Sequence, residues 1–414
     1  MSTSAPPASH SARSLGMRWP ALGNLPGTIG IILLLRIVYG LLALPISAAF
    51  PRSAIEQQIP AVPGAAPLGA WLARVALGPW MRYDAPLYAS IVEHGYSVAE
   101  NTANFHPLYP LLAALLAPLL GWNSALALLA VSTIAATALC VVLARYVAQF
   151  DSPALANRAV LLLLLLPPGF VLLAPYTESL FLVLAVGALF AMRRERWWLA
   201  GTLAGLATLT RQQGVALVLP LAWGVFVAVR AGRVRWWYLA SVALVPLAYA
   251  LFVVYRALAL GDASVWAQAS GPLDLLHKML VSRAGIVAGQ RIAWPWELLI
   301  AEIALIRTTD PNYHLVINLL LGWFLVLLVL LSLPRMHPFE RLYALMIVGL
   351  ALCYYIGDID PYMALPRHIM LAFPLYPALA ARLGRSPRFW LVLGLGAALN
   401  LLLLGLYVFR GWIP

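Results

Sequence analysis

HPLYPLLAALLAPLLG, residues 106–121, sets the topology of everything after it, because it is apolar yet carries three prolines in sixteen residues. A helix needs about 20 apolar residues to cross hydrocarbon, and a proline inside a helix removes a hydrogen bond and bends it. If this stretch crosses the membrane, every arginine cluster after it falls on the side opposite Arg13 and Arg18. If it lies along the surface or re-enters, all the clusters share one side, as cytoplasmic loops require. The charge pattern selects the second solution, a juxtamembrane or re-entrant helix.

Working outward, 63% of the 414 residues are hydrophobic and only 10% are charged, with a mean hydropathy of +0.87. That is the balance of an integral membrane protein. GTIGIILLLRIVYGLLALPI (27–46), NSALALLAVSTIAATALCVVLA (123–144) and NLLLGWFLVLLVLLSL (318–333) are spanning or near-spanning runs. Short basic groups separate such runs: Arg145/Arg158, Arg193/Arg194/Arg196, Arg230/Arg233/Arg235, Arg335/Arg341 and Arg382/Arg385/Arg388. With all of them inside, the spans are 27–48, 123–146, 158–174, 178–192, 197–211, 214–229, 236–258, 315–333, 341–357, 367–383 and 389–409. The expected fold is therefore an all-α integral membrane protein of about eleven transmembrane helices, with the N-terminus inside and the C-terminus outside.

Residues 1–26 are Ser/Pro/Ala-rich and read as a flexible cytoplasmic tail. The run after them is full length and lacks a small-residue cleavage site, so it reads as an uncleaved first helix. Residues 27–414 form one multi-spanning domain. Within it, 50–122 and 259–314 lie outside and mix Trp and Tyr with scattered charge, a composition suited to helices at the membrane surface. The formal charge of +12 forms no continuous basic face interleaved with aromatics, which excludes nucleic acid as partner and assigns the arginines to topology. Cys140 and Cys353 both sit in apolar runs, where no disulfide is expected.

The window RYDAPLYASIVEHGYSVAENTANFHPLYPLL (82–112) concentrates ionisable groups in an otherwise apolar chain. Asp84 at the interface is a candidate general base, the alternative being a solvated carboxylate or an ion pair with Arg82. Arg36 lies near the middle of the first span, where a charge costs several kcal/mol without a partner or watery cavity. Glu178, Arg211, Arg367 and His368 fall at the external ends of their spans, on the side of Asp84. Together they would build an anion-binding, carboxylate-containing pocket at the outer leaflet. No phosphate-binding glycine loop, His-Glu-x-x-His or Gly-x-Ser-x-Gly is present. His94 and His106, with Glu93 and Glu100, match no strong ligand spacing, so no metal is expected.

RYDAPLYASIVEHGY, FHPLYPLL, PYTESLFLVL, RRERWWLAGTLAGLATLTRQQGVAL and PRHIMLAFPLY occur in order across residues 27–385. As a set they resemble the PIG-V-like membrane mannosyltransferases of the glycosyltransferase-C superfamily. The resemblance implies a bundle of that type, no cofactor, a polyprenyl-phosphate sugar donor, and a lipid-linked or glycan acceptor. It also implies an active site on the non-cytoplasmic side of a multi-pass membrane protein. Asp84 takes the catalytic position, while Arg211, Arg367, Arg36 and His368 are implied as donor-phosphate ligands. Tyr88, His94, His106, Tyr176, Glu178 and Gln212 are implied to bind or orient substrate. The family's Phe-Phe-Pro-Leu-Tyr-Pro is here Phe105-His106-Pro107-Leu108-Tyr109-Pro110, and its Thr-Arg-Pro-x-Gly is Thr210-Arg211-Gln212-Gln213-Gly214. A transporter or flippase of lipid-linked sugars is the alternative, disfavoured because no inverted repeat is visible. Abundant Ala, Leu and Arg with a single lysine, Lys278, point to a bacterial plasma membrane.

Overall fold

The computed structural model describes residues 24–49, 77–100, 102–261, 291–357 and 360–409. The expectations for the tail before residue 24, and for the parts of the two external segments at 50–76 and 262–290, lie outside the described residues. The chain is a bundle of apolar helices, and among the described residues six helical stretches are long and apolar enough to cross a membrane: Leu25–Ile46, Ser124–Phe150, Gln212–Arg230, Trp236–Ala259, Tyr313–Arg335 and Pro387–Phe409. The protein is a multi-pass, predominantly helical membrane protein, with one short antiparallel pairing of Arg291–Ile292 with Tyr354–Tyr355.

The other five expected spans are shorter or broken. Residues 158–174 divide into a helix Pro153–Leu165 and a 3₁₀ turn Gly169–Leu173, because Pro167 and Pro168 cannot continue the hydrogen-bond ladder. Residues 367–383 likewise divide into Leu365–Ile369 and Leu375–Leu383. Glu178–Arg193, Trp197–Thr210 and Pro338–Cys353 have 16, 14 and 16 residues. The stretch 106–121 is an α-helix Leu108–Leu116 followed by a 3₁₀ turn Ala117–Leu120. At nine α-helical and four 3₁₀ residues it is well short of a span, as its prolines lead one to expect.

The elements that place the site are labelled here in chain order: α1 Leu25–Ala49, α2 Asp84–His94, α3 Leu108–Leu116, α4 Ser124–Phe150, α5 Pro153–Leu165, α6 Glu178–Arg193 and α7 Trp197–Thr210. They continue with α8 Val218–Arg230, α9 Leu244–Ala259, α10 Pro295–Thr308, α11 Tyr313–Ser332, α12 Pro338–Cys353, α13 Leu365–Ile369, α14 Leu375–Leu383 and α15 Pro387–Phe409. The central element is α4, which packs on α6, α5, α3 and α1. Its Ala and Ser positions (Ala125, Ala127, Ser132, Ala135, Ala136) are buried, and small side chains let neighbouring backbones approach where apolar burial gives no drive inside lipid. Asn123 starts α4 by accepting from Leu126 N–H at 2.8 Å, a side-chain N-cap.

The hairpin α6–α7 determines the position of the site. Two helices of nearly equal length, joined by the tight turn at Arg194–Arg196, run antiparallel, so the first residue of α6 returns beside the last turn of α7. Residue 178 is thereby brought to residue 211. After α7 the chain folds back on itself, and Gly214 lies so close to Thr208 that a β-carbon there would overlap the Thr208 backbone. Gly214→Ala is expected to destabilise the protein by about 1–3 kcal/mol through overpacking, read as a lower melting temperature in detergent.

Candidate active site

Four charged side chains meet at helix ends. Asp84 is the first residue of α2 and Glu178 the first of α6, while Arg211 follows the last residue of α7. Negative charge at helix N-termini and positive charge at a C-terminus each complement the helix dipole. The fourth, Arg367, rides on the short helix α13.

Glu178 is fully buried. Its Oε1 accepts from both Arg211 Nη1 and Arg367 Nε. Arg211 also donates to Thr177 Oγ1 at 2.8 Å and, through Nε, to Gln213 Oε1 at 3.3 Å. Arg367 turns its Nη1 to Asp84 Oδ2 at 2.9 Å, and its guanidinium lies 4.3 Å from the centroid of the Tyr176 ring. Two carboxylates and two guanidiniums balance, which makes burial tolerable. Asp84 is the member that reaches the surface, its side chain 34% exposed against 6% for Arg367.

A buried polar chain backs this cluster. Tyr176 Oη donates to the Arg82 carbonyl at 3.1 Å, Ser132 Oγ donates to the Tyr176 carbonyl at 3.3 Å, and Tyr109 Oη lies 2.8 Å from Ser132 Oγ. Tyr88, on α2, packs edge-on between Phe105 and Tyr109, with ring centroids 4.8 and 5.0 Å away. Tyr88 and Tyr176 are thus walls of the site, the first through packing and the second under Arg367.

Several expectations need correction. Arg36 is not part of the cluster: Nη2 donates to the Leu129 carbonyl at 3.3 Å and Thr133 Oγ1 at 2.6 Å, and its guanidinium sits 5.5 Å from the Trp80 ring. It lines a groove of about 830 Å³ between α1 and α4, with Leu33, Ile37, Leu41, Leu126 and Trp80. His94 is exposed at the far end of α2, ten residues and about 15 Å of helix from Asp84. His106 packs its ring against Phe252 and Tyr249 of α9, at 4.7 and 5.9 Å. The amide of Gln213, next to Gln212 in the chain, accepts from Arg211. His368 is half-buried on α13 beside Arg367. Arg82 is buried and donates through Nη2 to the Val408 carbonyl at 3.1 Å, and Asp84 pairs with Arg367.

Gln213 and Thr177 were invisible as site residues because short polar side chains next to an arginine are common. Their signal was adjacency to Arg211 and Glu178. Among the described residues, no group of three or more His, Cys, Asp or Glu side chains could hold a metal ion.

The fold and the site together define a class, a multi-pass helical membrane protein with a charge-balanced arginine–carboxylate cluster that surfaces at one aspartate. Residues 30–228 match the family model described as Mannosyltransferase (PIG-V). The chain is 37% identical over 158 residues to the GPI alpha-1,6-mannosyltransferase 2 of Rattus norvegicus, covering 36% of this chain and 32% of that protein. With the protein of the same name from Homo sapiens the identity is 34% over 153 residues, 34% of this chain and 31% of the relative. The chain thus matches about a third of the length of these relatives. Among solved structures, ArnT from Cupriavidus metallidurans bound to undecaprenyl phosphate aligns over 89% of this chain and 63% of its own, with 12% identity and a TM-score of 0.48.

Glu178→Gln should remove the shared anion and leave two buried guanidiniums facing each other. A loss of about 3–5 kcal/mol is expected, the scale for breaking a buried pair by removing one partner. Chemical denaturation in micelles measures it, and Glu297→Gln, at a partly exposed residue near the start of α10, should show no comparable loss.

Proposed function

We propose that this protein is an inverting glycosyltransferase of the glycosyltransferase-C type. It moves a sugar, mannose by kinship, from a polyprenyl-phosphate carrier to a hydroxyl of a lipid-linked or glycan acceptor on the non-cytoplasmic side of the membrane. The observation that carries this reading is Asp84 itself. It is a partly exposed carboxylate, one oxygen held by Arg367 at 2.9 Å, in a region matching a mannosyltransferase family.

A sugar on a lipid phosphate has a good leaving group, so one base suffices. Asp84 Oδ1 takes the proton of the acceptor hydroxyl as that oxygen attacks the anomeric carbon from the face opposite the phosphate. One displacement inverts the centre. The carbon–oxygen bond to the phosphate breaks with its electron pair, and the departing phosphate gains negative charge.

The ion pairing links these two events. In the resting state Asp84 and Glu178 neutralise Arg367 and Arg211. As Asp84 accepts the proton it loses its charge, and Arg367 is left under-compensated as negative charge grows on the leaving phosphate. An interaction stronger in the transition state than in the ground state is the kind that raises the rate. Glu178 orients both guanidiniums, and the groove beside Arg36 offers an apolar channel for a lipid tail, running against Trp80 four residues before Asp84.

Asp84→Asn keeps the shape and removes the base. Incubated with polyprenyl-phosphate-mannose and candidate acceptors, the purified variant is expected to transfer roughly 10²–10⁴-fold more slowly than wild type, with its circular dichroism unchanged. Undiminished transfer by Asp84→Asn would remove the base assignment. Failure of the wild type to form any new glycosidic bond would favour a transporter of lipid-linked sugars.

A further inference from the structure

A second pair of carboxylates is buried behind the site. Glu302, on α10, is fully buried, and Asp360, in the connection leading into α13, is 7% exposed. Both serve one short turn. Tyr362 N–H donates to Glu302 Oε2 at 3.3 Å, and Asn318 Nδ2, from α11, donates to the Tyr362 carbonyl at 3.0 Å. The same Nδ2 lies 3.5 Å from each oxygen of Asp360. Tyr362 Oη donates to the Pro295 carbonyl at 2.8 Å, fastening the turn to the start of α10.

The turn leads directly into α13. Leu365 N–H donates to the Tyr362 carbonyl at 2.9 Å, and Ala364 stands in the left-handed region with φ of 58°. Arg367 follows three residues later. Gly322 of α11 lies against Leu365 so closely that a β-carbon would overlap its side chain. The segment 360–365 is therefore the mount of Arg367, held from α10 and α11.

We propose that Glu302 and Asp360 are positioning residues that share a proton, and that this proton keeps the mount closed and Arg367 in register with Asp84. The physical reason is charge. Among the described residues neither carboxylate has an ion-pair partner, in contrast to Glu178, which has two. Two carboxylates buried at one turn cannot both be ionised readily in a medium of low polarity without a cation. The titratable groups facing the pair are the Tyr362 phenol and, beyond it, the Cys353 thiol. On the same elements, Arg291 pairs with Glu297 at 3.5 Å, His314 lies one turn before Asn318, and Arg307 is exposed at the end of α10.

Burial pushes the Glu302 carboxyl up to about 7 and, with the Glu302 charge beside it, the Asp360 carboxyl up to about 8. Carboxyls raised above their unfolded values stabilise the fold fully below those values, and that contribution is lost as pH rises through about 7 to 8. Above that window the two charges repel across the turn and Arg367 loses its register.

Two measurements on the full chain test this. Hydrogen exchange of the segment 360–369, corrected for intrinsic pH dependence, is followed from about pH 6 to about pH 9. Wild type is expected to lose protection as pH rises, while Glu302→Gln and Asp360→Asn, each retaining shape with one charge removed, keep it. Transfer rate against pH is the second readout, and this arm rests on the proposed transferase reading. Wild-type kcat/KM should fall about tenfold per pH unit above the window, and both variants should move that fall to higher pH. Variants that track wild type in exchange overturn the shared proton. Variants that retain protection without shifting the rate profile overturn the positioning role. Protection of wild type, and not of the variants, by added Ca²⁺ or Mn²⁺ would replace the proton with a cation and also overturn the proposal. The exchange arm needs no reaction, so absent transfer by the wild type defeats the functional reading separately.

Discussion

A single carboxylate oxygen, Glu178 Oε1, receives two arginines from different parts of the chain. Inside a helical bundle an unpaired charge is costly, and this arrangement answers three costs together. The anion is neutralised, each guanidinium gains an ionic hydrogen bond, and three segments far apart in sequence are joined. With Asp84 included, the cluster has no net charge. That neutrality lets it sit deep while presenting one partly exposed carboxylate at its edge.

The rest of the bundle serves this geometry. Equal helix lengths in α6 and α7 bring residues 178 and 211 together, Gly214 lets the chain turn back over Thr208, and the small residues of α4 admit close neighbours. Arg367 comes from a five-residue helix, too short to hold its own place, and its support is borrowed from α10 and α11 through the turn at 360–362. Two buried acidic centres thus adjoin the same arginine by different means. Glu178 is balanced by cations, whereas among the described residues Glu302 is bonded to a backbone N–H and Asp360 to an amide, with no cation paired to either.

Much of the site was legible in the chain itself. Asp84, Glu178, Arg211 and Arg367 stand out because charges are rare in apolar runs, and the structure joins all four. Tyr176 was also found, since it precedes Glu178 in the same motif. Arg36 stood out for the same reason and was misplaced, because rarity marks a residue as constrained without naming its partner; its partners are Thr133 and the Leu129 carbonyl. His94 and His106 were drawn in by proximity to Asp84 in sequence, but a helix carries one away and aromatic packing on α9 takes the other. Glu302, Asn318 and Asp360 were passed over entirely, since a lone acid in an external segment reads as solvated until its burial is seen.

The sequence by itself determined a helical membrane bundle, the interruption at 106–121, and the identity of the four charges, because hydropathy, proline and rare charge act locally and leave local marks. Only the packed bundle settles which charges pair, that the Gln213 amide serves Arg211, and that five apolar runs are short or broken helices. Pairing depends on which helix ends coincide in space. That is set by the packing of the whole bundle, which no local stretch of sequence records.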